Sequence, residues 1–111
     1  MVRLHLNPRY YDYLKNGTKC IDARMYDEKR KTIGLGNTVE FFTDSGETTP
    51  VTVTGLLRYR DFASLVADFD SAMLNDASMT KEEILADLNK YNAIEKQEQC
   101  GFEALGIRFV K

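Results

Sequence analysis

Histidine and cysteine are nearly absent from this chain: His5 is the one histidine, and Cys20 and Cys100 are the two cysteines. A zinc centre built on imidazoles or a Ser-His-Asp triad would rest on a single residue in a strand-like segment, so both are set aside. The two cysteines form no C-x-x-C pair and no ligand spacing. No metal and no other cofactor is therefore expected, and a structural disulfide would be unusual in a reducing compartment. Long apolar runs are missing too. None approaches the roughly 18 residues that mark a membrane span, so no membrane association is expected. The start, Met1-Val2-Arg3-Leu4-His5-Leu6, lacks the apolar core and small-residue cleavage site of a signal peptide. The expected location is the cytoplasm. No repeat or low-complexity linker interrupts the chain, which points to one domain over residues 1–111.

What is present is an ordinary globular composition. The chain is 43% hydrophobic and 29% charged, which argues against disorder. A chain of this length buries roughly two-thirds of its unfolded surface, enough for a core without staples. The net charge of −2 does not announce a nucleic-acid binder. Its distribution says more: residues 1–60 hold 10 basic and 7 acidic side chains, and residues 61–103 hold 3 basic and 10 acidic. That asymmetry permits a positive face built from the first half and the last strand, or simply a solvated acidic helical insert.

Hydropathy patterning supplies the elements. Val2, Leu4 and Leu6 alternate with Arg3 and His5, a strand pattern. Asn7-Pro8 opens a helix, with Tyr10, Tyr11 and Leu14 spaced for one face, and Asn16-Gly17 stops it. A strand over residues 19–25 puts Ile21, Ala23 and Met25 on one side and Cys20, Asp22 and Arg24 on the other. A polar loop covers residues 26–37, and two β-like runs flank the turn Asp44-Ser45-Gly46 as a hairpin. Pro50 belongs at the beginning of its strand or on an edge. Asp61 caps a helix from Phe62, and Thr80-Lys81-Glu82-Glu83 matches a capping box before a helix to Lys90. Ile94 to Gln99 reads as a short helical turn and Ala104 to Val110 as a strand. Met73, Leu74, Met79, Ile84, Leu85 and Leu88 read as core. The first and last strands are expected to pair, in an α+β protein with a small, partly open β-barrel and flanking helices.

The segment Gly17-Thr18-Lys19-Cys20-Ile21-Asp22-Ala23-Arg24 has the form G-x-K-x-x-[acid]-x-R. Three charges of mixed sign at a strand start call for a polar ligand or an ion-pair network. Three further elements accompany it: Asp27 to Arg30 followed by Ile33, Gly36-Asn37 and Val39-x-Phe41; Val53-x-Gly55-Leu56-Leu57-Arg58-Tyr59-x-x-Phe62; and Tyr91 to Gln99, Gly101, then Leu105-Gly106-Ile107. In this order they resemble the ASCH domain family, over nearly the whole chain. Two positions depart from its pattern: Asp22 stands where the family most often has Glu, and Asn37 where it usually has Asp.

The resemblance implies a PUA-like β-barrel that binds RNA or a nucleoside or nucleotide ligand. Some small family members are amidohydrolases that deacetylate acetylcytidine, and a few relatives are reported to cleave RNA. In a binding role, Gly17, Lys19, Arg24, Tyr59 and Tyr91 form the expected ligand-binding set, with the basic groups on phosphate, carboxylate or base edges and the tyrosines stacking. In a hydrolytic role the expected catalytic set is Lys19, Asp22 and Glu95. There the family's Thr nucleophile is replaced by Asp22, a poor nucleophile toward an amide, whose charge also raises the pKa of a lysine base. Thr18 and Thr32 offer hydroxyls away from the matching position, and Asp22 activating a water is the remaining route. Lys19 with Tyr59 or Tyr91 would be the pair for RNA cleavage. A scaffold role, with the acidic helices meeting a basic partner, is the remaining class.

Overall fold

The computed structural model describes residues 1–111. The elements run β1 (Val2–His5), α1 (Pro8–Lys15), β2 (Ile21–Met25), a 3-10 turn (Arg30–Thr32), β3 (Thr38–Phe42), β4 (Thr48–Tyr59), α2 (Phe62–Asp68), α3 (Ser71–Leu74), α4 (Lys81–Tyr91), α5 (Ile94–Gln99) and β5 (Ala104–Val110). The fold is α+β. A five-stranded mixed sheet of order β1-β3-β4-β5-β2 curls into a half-barrel with helices at its flanks.

Local chemistry accounts for the element ends. The Asn7 side chain accepts the Arg9 N–H at 2.9 Å, with Pro8 at the first helical position. Gly17 leaves α1 at φ +82°, a conformation that costs a residue with a Cβ. Thr80 and Glu83 close a complete capping box, each side chain accepting the other's backbone N–H at 3.1 Å.

The expected pairing of the first and last strands does not occur. β1 instead lies parallel to β3, with Leu4 opposite Phe41, while β5 runs antiparallel between β4 and β2. The reason is the length of β4. Its first residues, Thr48 to Thr52, pair with β3, and its remainder, from Thr52 to Tyr59, pairs with β5. One strand thus serves two neighbours at different ends. Between them, a register shift from Val53 to Gly55 bends the strand and turns the sheet. A Cβ at Gly55 would lie 3.1 Å from Arg108 Cβ, so the bend is built where only glycine fits without displacement. Pro50 sits on the stretch of β4 paired with β3 alone, where its missing N–H leaves no ladder position empty.

Two apolar clusters result. The concave face of the sheet and α1 bury Leu4, Tyr11, Leu14, Phe41, Val53, Leu105, Ile107 and Phe109 among others. The outer face of β2 and β5 packs on the helices through Ile21, Phe62, Leu65, Leu74, Met79, Ile84 and Ala104. Met73, Leu85 and Leu88 pack partly buried against that second cluster, consistent with the core assignment. Tyr10 does not share the fate of Tyr11 and Leu14: it packs against both clusters, at the junction where the half-barrel stays open.

Candidate functional site

The half-barrel leaves β1 and β2 as its two free edges. Between the end of β1 and β2 lies a cavity of about 350 Å³, closed on its far side by α4. Its walls come from six places: the β1–α1 junction, β2, the segment before it, the 3-10 turn, the end of α3 and the inner face of α4.

β2 reaches this cavity through its alternation. Asp22 stands opposite Ile107 and Arg24 opposite Leu105, so both acidic and basic side chains project to the concave face. Ile21 and Met25 turn to the helical cluster. Lys19, just ahead of the strand, is 5% exposed and Asp22 3%. The Lys19 ammonium donates to Ile21 O and Leu74 O, both at 2.8 Å, and lies 3.3 Å from Asp22 Oδ1. Two hydrogen bonds and one ion pair thus engage the ammonium, which holds the end of α3 to the start of β2. Burial lowers its pKa, and the Asp22 charge pushes back. Burial alone would raise the Asp22 pKa, but the Arg24 and Lys19 charges outweigh it and hold the carboxyl below the usual carboxylate range.

Arg24 continues the chain of contacts. Its Nε donates to Asp22 Oδ2 at 2.5 Å, and its Nη2 donates to His5 O at 2.7 Å. The guanidinium thereby ties one free edge of the sheet to the other. Of its five N–H groups these two have protein acceptors, and the rest are available to the cavity.

The opposite wall belongs to α1 and α4. The Tyr10 hydroxyl donates to the Asp87 carboxylate, and Asn7 Nδ2 donates to the Tyr91 hydroxyl at 3.3 Å. Burial first, then the Asp87 carboxylate, pushes the Tyr10 hydroxyl well above the ordinary phenol range. Asn75, in the turn after α3, is 6% exposed as a residue, and its side-chain amide makes no hydrogen bond within the protein but keeps contact with solvent. Lining the cavity, the amide has a donor and an acceptor both free of protein partners.

The sequence-derived residues separate accordingly. Lys19, Asp22, Arg24 and Tyr91 line the cavity. Gly17 does not; it is the exposed residue that ends α1. Tyr59 lies outside the cavity as well, packing edge-on to Phe69 and donating to Asp68 at 2.7 Å; burial and Asp68 push its hydroxyl up to about 12. Glu95 is exposed in the first turn of α5 and does not reach the cavity. Thr18 and Thr32 use their hydroxyls on backbone carbonyls, Thr18 on Tyr13 and Asn75 and Thr32 on Lys29. Missed in the sequence were Tyr10, Arg30, Asn75 and Asp87. Only Tyr10 had a signal, its place on the first helix beside residues of a single buried face. Three or more His, Cys, Asp or Glu side chains nowhere gather as a metal set.

No helix is long and apolar enough to cross a membrane. No family model and no curated protein matches the chain. Solved structures do. The crystal structure of hypothetical protein PH0355 superposes with a TM-score of 0.79 at 22% identity, covering 96% of this chain and 94% of the other. The solution structure of protein PF0455 from Pyrococcus furiosus gives 0.73 at 22% identity, covering 97% and 94%. Likeness at that identity is a likeness of fold: the curled half-barrel with its flanking helices is shared from end to end.

Proposed function

We propose that this chain is an ASCH-type, PUA-like protein that binds RNA or a nucleotide-like ligand in the cavity between its two free sheet edges. One observation carries the reading: the Asn75 amide, without a protein partner and open to solvent, lines the same cavity as the Arg24 guanidinium. A nucleobase edge presents adjacent donors and acceptors, which a side-chain amide complements in either orientation. A volume of about 350 Å³ falls at the small end of ligand sites and suits a single nucleoside unit. Tyr91, 57% exposed at the rim, is placed for a base to stack on. Isothermal titration calorimetry with nucleotides and short single-stranded RNAs tests this. Saturable binding that weakens by roughly tenfold in Asn75→Ala supports it. Binding unaffected by that change refutes the placement.

A second reading, hydrolysis of an acylated nucleoside, draws support from Asp87, a carboxylate on a later helix that does line the cavity. It draws none from Lys19 as a base, since that ammonium is buried, hydrogen-bonded to two backbone carbonyls and paired with Asp22. Proton NMR of acetylcytidine with catalytic protein decides it. A growing acetate signal lost in Asp87→Asn supports hydrolysis, and an unchanged substrate removes it.

A further inference from the structure

The wall formed by the 3-10 turn carries polar groups that a neutral nucleoside would leave unmet. Arg30 lines the cavity together with Arg24. Its Nη1 donates to Asp27 Oδ2 at 2.6 Å, while its Nε is buried and meets no acceptor at all. That N–H is sealed from solvent and is not itself a ligand contact; it is the guanidinium's place in the cavity wall beside Arg24 that presents it to a ligand. The neighbouring charges show what kind of ligand this wall suits. Lys29 precedes Arg30, and its ammonium is held below its ordinary pKa by slight burial, then by the Arg30 and Arg24 charges. Three cations therefore lie within electrostatic reach of one another. The acids around them are engaged: Asp22 by Lys19 and Arg24, Asp27 by Arg30, and Asp87 by Tyr10.

We infer that Arg24 and Arg30 form a subsite for the phosphate of a nucleotide, on the reading that the cavity accepts its base. Guanidinium groups suit this task because their donors match phosphate oxygens in pairs. Two of Arg24's five donors and one of Arg30's are held by side-chain or backbone oxygens in the protein, leaving both groups donors to offer. The preferred ligand is thus a phosphorylated nucleotide, free or within an RNA chain, and not a neutral nucleoside.

Calorimetry with four probes separates the alternatives: nucleosides, their 5′-monophosphates, a trinucleotide of RNA and inorganic phosphate. The expected result is monophosphate binding at least about tenfold tighter than that of the matching nucleoside. Arg30→Gln should bring the two to parity, and Arg30→Lys should restore part of the difference. A trinucleotide that binds tighter than the monophosphate identifies RNA as the source of the phosphate, and a weaker one identifies the free nucleotide. Equal affinity of nucleoside and monophosphate for the wild-type protein overturns the subsite while leaving base binding in place. Inorganic phosphate bound in an Arg30-dependent way, with no gain from an attached nucleoside, keeps the subsite and overturns the base reading. Binding of none of the four overturns both.

Discussion

Replacing Asp22 with Asn separates what the buried charges hold together from what they bind. Asp22 is 3% exposed and receives Arg24 Nε at 2.5 Å and Lys19 Nζ at 3.3 Å. Asn keeps the shape but removes the only buried negative charge, and its NH₂ must face one of the two cations. Breaking a buried ion pair from one side costs about 3–5 kcal/mol, because the remaining charge stays desolvated. For a chain of this size that corresponds to a fall in Tm of roughly 12–20 °C. Lys19→Met should cost less than Asp22→Asn, since Asp22 keeps Arg24. The double variant should then cost less than the sum of the singles, with a coupling of about 1–3 kcal/mol. Acid gives an independent check on sign. The folded-state pKa of Asp22 lies below its unfolded value of about 3.9. Its contribution is therefore fully present above that value and is lost as pH falls through the folded pKa. Asp22→Asn should flatten the Tm profile below about pH 4 relative to wild type. Thermal melts by circular dichroism across pH measure all of this. A drop of under about 3 °C in Asp22→Asn, with an unchanged acid limb, would refute the assignment of Lys19, Asp22 and Arg24 as the clasp of the open barrel.

Other regions give sharper local tests. Tyr10→Phe removes the hydroxyl that ties α1 to Asp87 on α4, and should cost about 0.5–1.5 kcal/mol while speeding amide exchange in α4 above all; exchange that rises evenly over the chain would contradict the tie. Thr80→Ala removes half of the α4 capping box and should cost about 0.5–2 kcal/mol in urea denaturation, with an unchanged m-value. Asn75→Ala deletes an amide that has no protein partner, so its Tm should stay within about 2 °C of wild type. A large loss there would mean that the amide supports the fold.

How much of this was legible in the sequence depended on the range of each signal. Asn7-Pro8, Gly17, Asp61 and the Thr80–Glu83 box act over three or four residues, and each bounds a helix where expected, Gly17 at its end and the others at its start. The alternation of β2 was equally local, and it placed Asp22 and Arg24 on the concave face. Strand order was not local. Nothing in Val2–His5 distinguishes β3 from β5 as a partner, and the choice follows from the length of β4 and its bend at Gly55. α3 spans only Ser71–Leu74, too short for a helical period to show. The cavity suffered most. Arg30, Asn75 and Asp87 come from a 3-10 turn, a loop and a helix with no fixed spacing between them, so only the folded chain brings them to Arg24. Conversely Tyr59 and Glu95, picked for chemical type and position in the motif order, point to the helical flank and to solvent.

The most direct measurement is a nitrogen-15 correlation NMR titration of the protein with nucleoside 5′-monophosphates. The account predicts saturable shifts concentrated at Arg24, Arg30, Asn75 and Tyr91, including the side-chain NH₂ of Asn75, and their loss in Asn75→Ala with the spectrum otherwise preserved. Shifts centred on Tyr59 and Glu95, or no shifts at millimolar nucleotide, would contradict a ligand site between the two free edges of the sheet.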